Sequence, residues 1–487
     1  MQNSNPLVLW PDRFATKQNA TLCDQCDCAC PDSRSYLRHD NCAATGLLVQ
    51  PPLHRQDLGG GWTLLFNPLH DGQVAVLNRT GLQVWEEFAT PHAAPTAQET
   101  AACIGQMTAL GLLVEPGSDP TWQHQEPTAL SAWLHLTDRC NLRCTYCYVP
   151  KRANDMDEAT GRAAVDALVR SAHAHAMHTI KLKYAGGEPT LKWPLICSLH
   201  EYAQAQTHTA GLTLEGVVLS NGAAISDRAL AALHSHDIQF CISLDGIEAV
   251  HDGQRPFASG QGSFTHVVET IERLLARGIK PMISLTISRR NAPHLEATVR
   301  FLLARDLPFN LNFVRDTADC GSGTEWKASE RALIDGLRHA FAAIEQQLPD
   351  RSLLGNLLDR AQFYYPHDRA CSAGVAYMAI RPDGRVAKCQ MELDRPVAAI
   401  WAHDVLAAVR EDDQGLHNSS VEQRPVCHSC LWRYWCGGGC PLQLTSHADG
   451  TASGSPYCRV YQAIFPDLLR LEGLRLVKLA QQHQLLM

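Results

Sequence analysis

The stretch Cys140-Asn141-Leu142-Arg143-Cys144-Thr145-Tyr146-Cys147 indicates what kind of site this chain builds. Its three cysteines have the spacing C-x3-C-x2-C and follow directly on an apolar-alternating run at 131–137. Three thiolates this close together can wrap a loop around one iron–sulfur cluster, whereas a closed [4Fe–4S] cube takes four protein ligands. We therefore expect a cluster with one iron left open to a ligand that is not a cysteine.

The composition is that of a globular protein large enough for two or three domains. The chain has 487 residues, of which 45% are hydrophobic and 19% charged, and its formal net charge is −8. This charge gives no electrostatic case for binding nucleic acid or an anionic membrane. No apolar run approaches a membrane span and no export signal is indicated, so the 19 cysteines predict metal ligation in a reducing cytoplasm rather than disulfides.

Residues 131–315 alternate between strand-like and helix-like segments. The predicted strands are 131–137, 180–185, 214–219, 238–244, 281–287 and 309–314. The predicted helices between them include 157–172, 226–235, 264–277 and 292–304. Six βα units predict a parallel sheet with right-handed crossovers, either an open α/β sheet or a partial barrel.

The unusual residues fall at the carboxyl ends of the predicted strands. The three-cysteine loop follows the first strand, Gly186-Gly187-Glu188-Pro189 the second and Ser220-Asn221-Gly222 the third, and Ser243-Leu244-Asp245-Gly246 ends the fourth. Gly186-Gly187 alone or Asp245-Gly246 alone would be an ordinary turn. Parallel α/β folds place their active sites on this face, so four placements there predict one site.

The C-x3-C-x2-C loop and the GGEP motif together resemble the radical S-adenosylmethionine (SAM) enzymes, over residues 131–465. The resemblance implies a partial (β/α)6 TIM-like barrel and a [4Fe–4S] cluster held by Cys140, Cys144 and Cys147. SAM would chelate the open iron and, on one-electron reduction, yield methionine and a 5′-deoxyadenosyl radical. A flavodoxin- or ferredoxin-type protein would donate the electron.

The family pattern also implies which residues hold SAM, and it assigns no catalytic side chain. The Gly-Gly-Glu segment would meet the methionine amino group, while Ser243 and Arg255 would hold the ribose and the carboxylate. Tyr146 and the backbone around Leu311 would lie near the adenine. These roles suit a charged amino acid, which needs a carboxylate, an arginine and free backbone donors. The implied cofactor-binding residues are Tyr146, Gly186, Gly187, Glu188, Ser220, Ser243, Arg255 and Leu311.

The histidines 173, 175 and 178 stand at a predicted helix end and invite a metal interpretation. No carboxylate or cysteine is expected to share their face, so solvated histidines are predicted instead.

The N-terminal segment, residues 1–55, is irregular in pattern. It carries five cysteines, which fit zinc, an additional cluster, or a reduced segment without metal. They are Cys23, Cys26, Cys28, Cys30 and Cys42.

Residues 58–118 predict a small separate module. Strands at 62–67 and 73–78 would flank a turn at Asp71-Gly72, followed by helices at 80–88 and 97–110 and a short strand at 112–114. The pattern VAVLNRTGLQVW with LGLLVEPG resembles the winged-helix peptide-recognition module of enzymes that modify ribosomally made peptides. No basic cluster supports DNA binding. The resemblance implies that a precursor's leader peptide binds as an added strand on a sheet edge.

A second group of cysteines follows a polar, helical stretch at about 327–362. Seven cysteines suit two iron–sulfur clusters better than a zinc ribbon with three left over. Their spacing resembles the SPASM extension of radical SAM enzymes that mature peptides and proteins. By that pattern an inner cluster is held by Cys371, Cys389 and Cys440, and an outer one by Cys427, Cys430, Cys436 and Cys458.

The inner set departs from the family pattern. Tyr365 stands six residues before Cys371, where fully ligated relatives have another cysteine. The inner cluster would then lack a fourth thiolate. Its last iron would be open to substrate, or ligated by Asp368, His367 or an N-terminal cysteine such as Cys30.

The sequence thus predicts an α/β enzyme that uses SAM and three [4Fe–4S] clusters to oxidise a precursor peptide, closing a C–C, C–S or C–O bond. Maturation of a folded protein or of a quinone cofactor is the alternative enzyme function. Gln390 counts against the sulfatase-maturing type, because it replaces that type's aspartate base and cannot take a proton at neutral pH. A non-catalytic iron–sulfur carrier or peptide-binding scaffold is the other alternative, although it would have no use for a SAM site. The predicted parts are 1–55 (irregular), 58–118 (winged-helix-like), 131–345 (radical SAM barrel), 365–465 (SPASM) and 466–487 (C-terminal helix).

Overall fold

The computed structural model of the chain describes residues 5–14, 46–70, 73–95, 98–118, 126–315, 326–355, 357–444 and 454–483. The five N-terminal cysteines, Cys23 to Cys42, lie outside the described residues, as does the turn predicted at Asp71-Gly72. Within the described ranges, no helix combines the length and the apolar character that crossing a membrane requires.

The N-terminal part is built on an antiparallel sheet in which β1, β5, β4 and β3 stand side by side in that order, while β2 pairs with β6. The strands predicted at 62–67 and 73–78 correspond to β4 and β5, but β3 and β1 were not predicted. The predicted strand at 112–114 is wrong. Only Val114 pairs, in an isolated bridge with Val49, while the Leu112 carbonyl accepts the indole N–H of Trp85 at 2.9 Å. The elements are β1 (Val8–Leu9), β2 (Leu47–Leu48), β3 (His54–Gly59), β4 (Trp62–Phe66), β5 (Ala75–Asn78), α1 (Arg79–Glu86), β6 (His92–Ala93) and α2 (Gln98–Ala109).

This sheet is buried on both faces, since neighbouring residues of a strand point to opposite sides. Leu65 packs with α1 and α2 in a local core. The next residue, Phe66, belongs to the main core of the molecule instead. The indole N–H of Trp435 donates to the carbonyl of Pro68 at 2.8 Å. The N-terminal part is therefore packed onto the C-terminal part of the chain.

The central part is a parallel sheet whose strands β7 to β12 stand in chain order. This confirms the predicted α/β class, and helices connect the strands as in three quarters of a (β/α)8 barrel. The elements are β7 (Ala129–Thr137), α3 (Glu158–Ala174), β8 (Thr179–Gly186), α4 (Trp193–Thr209), β9 (Thr213–Ser220), α5 (Asp227–Ser235), β10 (Ile238–Ser243), α6 (Ala249–Asp252), α7 (Phe264–Leu275), β11 (Met282–Ile287), α8 (Leu295–Leu303), β12 (Phe309–Phe313) and α9 (Glu330–Gln346).

Strand β7 lies between the main core and a smaller core that it forms with the C-terminal part. All of its residues are buried, as expected for a strand of a sheet covered on both faces. Leu134 packs in the main core with the helices. Trp133 points the other way and packs with Cys371 and Tyr377. The face opposite the helices is thus covered by the C-terminal part.

The C-terminal part extends the same sheet, because β13 pairs parallel with β7, Ala379 opposite Trp133. The terminal helix, predicted to begin at 466, begins at Cys458 instead. Val460 and Ile464 continue its buried face, and Pro466 is accommodated inside it. The elements are β13 (Tyr377–Ile380), β14 (Arg385–Ala387), β15 (Ala398–Ala399), α10 (Val405–Glu411), α11 (Pro425–His428), α12 (Arg433–Cys436) and α13 (Cys458–Gln482).

The three histidines near the end of α3 do not all lie in solvent. His173 and His178 are exposed. His175 is half-buried, and its Nε2 lies 2.9 Å from Oδ2 of Asp404. The carboxylate comes from the C-terminal part, so the face of α3 alone could not reveal it.

Candidate active site

A cavity at the carboxyl ends of the parallel strands collects most of the predicted site. Residues from the ends of β8, β9 and β10 line it together with the cysteine loop that follows β7. The C-terminal part contributes Arg360, Gln390 and Met391. Glu188 and Leu311 are absent from the lining residues. The predicted site residues that do line the cavity are Cys140, Cys144, Tyr146, Cys147, Gly186, Gly187, Ser220, Ser243 and Arg255.

The cysteine loop is held in place by backbone hydrogen bonds to the segment after α6. The Arg143 N–H donates to the carbonyl of Pro256 at 2.8 Å, and the Thr145 N–H to that of Gln254 at 2.9 Å. These bonds fix the loop at its middle. The sulfurs at either end are thereby held on one wall of the cavity.

N–H donors approach the sulfurs of this loop. The backbone N–H of Leu142 lies 3.4 Å from Sγ of Cys140, and Nζ of Lys151 lies 3.0 Å from Sγ of Cys147. Burial raises the pKa of Cys144 to about 12. A thiol in such surroundings gives up its proton when a metal takes its place, and N–H donors then stabilise the thiolate.

The two glycines after β8 allow the turn to lie against the loop. The Gly187 N–H donates to the carbonyl of Thr137 at 2.6 Å. A Cβ on Gly187 would meet the carbonyl oxygen of Arg139 at 2.3 Å, and one on Gly186, whose φ is +145°, would meet that of Thr137 at 2.4 Å. No side chain fits at either position, so the backbone itself faces the cavity.

Glu188 lies behind the cavity wall. Its Oε1 accepts from the Ser220 hydroxyl at 2.9 Å and from the Thr190 hydroxyl at 2.6 Å, and its Oε2 from the Asn221 N–H at 2.8 Å. Burial raises the pKa of Glu188, and these hydrogen bonds oppose the rise. Glu188 therefore joins the turns after β8 and β9. The predicted contact with an amino group would have to use the remaining acceptor capacity of Oε2.

Arg255, Asp245 and Tyr146 form a buried group. Oδ2 of Asp245 accepts from Nε of Arg255 at 2.7 Å and from the Tyr146 hydroxyl. The guanidinium carbon of Arg255 lies 5.4 Å from the centre of the Tyr146 ring. Burial by itself lowers the pKa of Arg255, but Asp245 and Tyr146 bring it well above its ordinary value. A permanent positive charge therefore lines the cavity beside Cys144.

The backbone around Leu311 is not directed into the cavity. Its N–H donates to the carbonyl of Leu357 at 2.8 Å, and its carbonyl accepts from the Asp359 N–H at 2.9 Å. Both groups are used at the outer edge of β12, which the sequence could not show. The neighbours Asn312 and Phe313 line the cavity instead.

The C-terminal cysteines form two groups of neighbours, and every described cysteine is a free thiol. Burial raises the pKa of Cys389, and nearby Cys440 and Cys371 add to the rise. Burial also raises the pKa of Cys436, and three neighbours add to it: Cys430, Cys458 and Cys427. The inner and outer sets implied by the family pattern have these same members. Cluster ligation itself stays a prediction.

Three consecutive glycines separate the two groups. Gly437, Gly438 and Gly439 have φ of +54°, +77° and +75°. A Cβ on Gly437 would meet the backbone nitrogen of Ala370 at 2.3 Å, so the chain turns where only glycine fits. This turn lets Cys436 and Cys440 belong to different groups.

The residues suggested as a fourth inner ligand have other partners. Tyr365 is buried, and its carbonyl lies 3.4 Å from Nδ1 of His367. Burial lowers the pKa of His367 to about 4, which keeps the ring neutral. Oδ2 of Asp368 pairs with Arg369 at 2.7 Å. Neither His367 nor Asp368 lines the cavity, and the fourth ligand stays open.

Sequence reasoning missed several residues of the site. Asp245 lies in a strand-end motif that the sequence places at the site, but the sequence predicts no role for its side chain. Lys151 follows Cys147 by four residues, a spacing that could have suggested a neighbour. Asn221, whose amide nitrogen lies 3.7 Å from Sγ of Cys140, also stood in a quoted motif. Arg360 had no local signal.

The donor set fits a cluster and SAM. In the described part of the chain, no three His, Cys, Asp or Glu side chains are placed to hold a single metal ion. A multi-iron cluster sets its ligand sulfurs farther apart than one ion does, so it needs no such convergence. Three thiols on one wall with N–H donors suit the cluster. The buried guanidinium of Arg255 suits a carboxylate, and the half-buried backbone of Gly187, which lines the cavity, suits a polar ligand.

Sequence comparison defines the class. The sequence model of the Radical SAM superfamily matches residues 134–302, and this part of the chain is a radical SAM domain. The predicted recognition of this class is confirmed.

Relatives of the chain include two kinds of maturase. A serine-type anaerobic sulfatase-maturating enzyme of Klebsiella aerogenes is 22% identical over 347 residues, 68% of this chain and 82% of that protein. A PqqA peptide cyclase of Ruegeria pomeroyi is 24% identical over 361 residues, 68% of this chain and 87% of that protein. An uncharacterised protein of Methanocaldococcus jannaschii is 30% identical over 172 residues, and the match spans 35% of this chain and 57% of that protein.

Solved structures share the fold. Native anSMEcpe with bound AdoMet and Cp18Cys peptide superposes with a TM-score of 0.58 and 18% identity, covering 73% of this chain and 99% of that chain. SuiB of Streptococcus suis bound to precursor peptide SuiA gives a TM-score of 0.52 and 13% identity, covering 85% of this chain and 100% of that chain. The chain thus has a mixed α/β radical SAM fold with a mostly parallel central sheet.

Proposed function

We propose that this protein is a radical SAM peptide maturase, which oxidises a ribosomally made precursor peptide and closes a new C–C, C–S or C–O bond. One observation carries the proposal: the three-cysteine loop and neighbours of the inner cysteine group line a common cavity. Cys140, Cys144 and Cys147 line one side. Arg360 and Gln390, next to the inner cysteine group, line another. A peptide segment in this cavity would lie between the two regions.

The chain's own residues would bind and orient SAM and the peptide. When bound, SAM with its cluster would supply the radical chemistry that removes one hydrogen atom, and an inner cluster held by Cys371, Cys389 and Cys440 would take up the second electron of the oxidation. Arg255, held by Asp245, would bind the SAM carboxylate. Gln390 accepts a hydrogen bond from the Tyr377 hydroxyl at 2.7 Å and cannot serve as a base. This supports peptide cross-linking over formylglycine formation.

A leader peptide would bind to β3. This strand pairs only with β4 among the described strands, so it is an edge of its sheet. Its residues alternate between half-buried and exposed. Extended peptides add to such edges through backbone hydrogen bonds. The ring of His54 lies 5.8 Å from that of Trp432, so a peptide on this edge would lie near the C-terminal cysteines.

The radical chemistry is tested with the reconstituted full-length chain under anaerobic conditions. Dithionite and SAM should yield 5′-deoxyadenosine, and Cys144→Ala should abolish the product. Cys197→Ala is the matched control, because Cys197 lies on α4 and not among the cavity residues. No product from the wild type would favour the scaffold alternative. Iron analysis should give about twelve irons per chain for three cubes, and about four would remove the C-terminal clusters.

The substrate is tested by co-expression with short open reading frames next to the gene. Mass spectrometry of the peptide should show a loss of two hydrogens for each new bond. An unmodified peptide from every neighbouring frame, with 5′-deoxyadenosine still formed, would favour a folded-protein substrate.

Leader binding is tested with backbone-methylated peptides. In strand addition, alternate N–H groups of the peptide bond to the edge. N-methylation of one alternate set should therefore abolish binding to the full chain, measured by fluorescence anisotropy, while methylation of the other set is tolerated. Equal affinity of both methylated peptides would contradict binding to the β3 edge.

A further inference from the structure

Arg360 is a buried guanidinium in the cavity with nitrogen atoms that lack hydrogen-bond partners. Its side chain is 10% exposed, and it lines the cavity. Nε and Nη1 are buried and make no hydrogen bond. The nearest carboxylate oxygen, Oδ1 of Asp359, is 3.6 Å from Nε, which is beyond a normal hydrogen bond. Leaving charged N–H donors unpaired in a buried position costs free energy. A ligand that accepts hydrogen bonds from them would therefore bind more tightly.

The backbone holds Arg360 in this position. Its φ is +57°, a left-handed conformation that non-glycine residues rarely adopt and that clusters at ligand sites. The segment is anchored on both sides. The Asp359 N–H donates to the Leu311 carbonyl at 2.9 Å, and the Gln362 N–H donates to the Trp435 carbonyl at 3.1 Å. The side chain is thus directed into the cavity by a fixed backbone.

The other cations of the cavity already have partners. Lys151 lies 3.0 Å from a cysteine sulfur, Arg255 lies 2.7 Å from a carboxylate, and Arg315 forms two bonds of 2.5 Å and 2.6 Å to another. No aspartate or glutamate is among the described residues that line the cavity. The lining therefore has an excess of positive charge, and Arg360 is the cation with unused donors. The partners of Lys151, Arg255 and Arg315 are Cys147, Asp245 and Asp359, respectively.

The position of Arg360 separates it from the predicted SAM carboxylate. Burial lowers its pKa, but neighbouring Cys371 and Cys440, both of the inner group, are among the residues that raise it above its ordinary value. Arg255, by contrast, lies beside Cys144. An anion at Arg360 would lie on the side of the cavity next to the inner cysteines, where the proposed function places the peptide.

We propose that Arg360 binds a carboxylate of the substrate peptide, from an Asp or Glu side chain or from the peptide's C-terminus. The inference rests on the proposed function and specifies the chemistry of its substrate. A guanidinium with unused N–H donors recognises a carboxylate through charge-assisted hydrogen bonds, whereas the isosteric amide lacks the charge.

The test is affinity selection on the reconstituted full-length protein with SAM, read by mass spectrometry. The probes are N-acetylated hexapeptides with randomised flanking positions, carrying Glu or Gln at a central position and a free or amidated C-terminus. The wild type should enrich one carboxylate form about tenfold over its amide, and the enriched arm identifies the source. R360Q should abolish this preference and R360K should keep part of it. R338Q, which removes an exposed arginine paired with Asp467, should leave it unchanged.

Three results would overturn the proposal. One is a wild type without preference for carboxylates, and another is an R360K and R360Q pair that both keep the full preference. The third is an unchanged preference in R360Q together with a shifted midpoint potential, which would assign Arg360 to the inner cluster. If R360Q does not fold, the carboxylate preferences of the wild type and of R360K decide whether the proposal holds. Formation of 5′-deoxyadenosine without peptide is measured in parallel, so failure of the radical chemistry is distinguished from failure of carboxylate binding.

Discussion

The guanidinium of Arg255 donates its Nε N–H to Oδ2 of Asp245 at 2.7 Å, and the Asp245 side chain has no exposed surface. The same carboxylate accepts from the backbone of Thr286 at 2.8 Å and from the Tyr146 hydroxyl. One buried charge therefore connects the cysteine loop, the end of β10 and strand β11. Asp245 is a positioning residue of the site rather than part of a plain turn.

Substitution Asp245→Asn should weaken both stability and SAM binding. Removing one partner of a buried pair leaves the charge of Arg255 uncompensated, so the free energy of unfolding should fall by about 3–5 kcal/mol. Urea unfolding and SAM titration measure the two effects. Asp227→Asn is the control, because its carboxylate is 74% exposed and pairs with Arg273 and Arg277, and it should cost less than about 1 kcal/mol. Equal losses in the two variants would contradict the role of Asp245.

Substitution Gly187→Ala should disrupt the cofactor site. The new Cβ would meet the Arg139 carbonyl at 2.3 Å, so the turn or the adjacent cysteine loop must move. A displacement of about 1 Å at a reacting site can lower a rate by roughly 100-fold. We expect a loss of this size in 5′-deoxyadenosine formation, with less iron bound. Gly211→Ala, where a Cβ meets nothing within 4 Å, should lose only about 1 kcal/mol of stability and keep the activity.

The stability of the protein should fall as the pH drops below 6.5, in part through His200. Burial lowers the pKa of His200 to about 4 from an ordinary value of 6.5. Above pH 6.5 the ring is neutral in both the folded and the unfolded chain. Between pH 6.5 and 4 the unfolded chain binds a proton that the folded chain excludes, so stability is lost.

Urea unfolding measures the free energy of unfolding at pH 7.5 and at pH 5. Between these pH values the His200→Gln variant should lose about 2 kcal/mol less stability than the wild type. Tyr184→Phe is the matched control. It deletes the hydroxyl 3.0 Å from Nδ1 of His200 but keeps the buried ring, so the pH dependence should persist. The same pH dependence in His200→Gln as in the wild type would rule out His200 as its source.

Substitution Phe66→Ala should destabilise the whole chain and not just its N-terminal sheet. The Phe66 ring lies 4.8 Å from that of Trp435 and 5.8 Å from that of Phe363. Truncating such a buried aromatic costs about 3–5 kcal/mol. Leu191→Ala, at a residue that is 47% exposed, is the control for side-chain truncation. A separate early transition in tryptophan fluorescence, with the rest unchanged, would instead show an independent N-terminal module.

The sequence allowed the parallel sheet and most of its rim to be predicted, because local patterns carry that information. Strand β8, predicted at 180–185, covers Thr179–Gly186. Its motif lies at the predicted end because chain direction fixes which end of a parallel strand is the carboxyl end. The groups of cysteines have the members that the resemblance to the SPASM extension implies, with the glycines 437–439 between them.

The residues that escaped prediction depend on contacts between distant parts of the chain. Glu188 was expected to face the ligand, but Ser220 and Asn221 of the next turn hold its carboxylate behind the wall. The Asp404 carboxylate pairs with His175, which lies 229 positions earlier in the sequence. Arg360 reaches the cavity from an irregular segment without periodicity. Pairings of this kind leave no trace in local pattern.

The pairing of β13 with β7 restricts how a peptide can enter. Because the cysteine loop follows β7 and β13 lies between Cys371 and Cys389 of the inner group, the backbone hydrogen bonds between these two strands join the two sides of the cavity. Moving the two sides of the cavity apart as rigid bodies would break these hydrogen bonds. The proposed peptide substrate would therefore enter as an extended segment through the existing mouth, and a folded-protein substrate would first have to unfold around the modified residue.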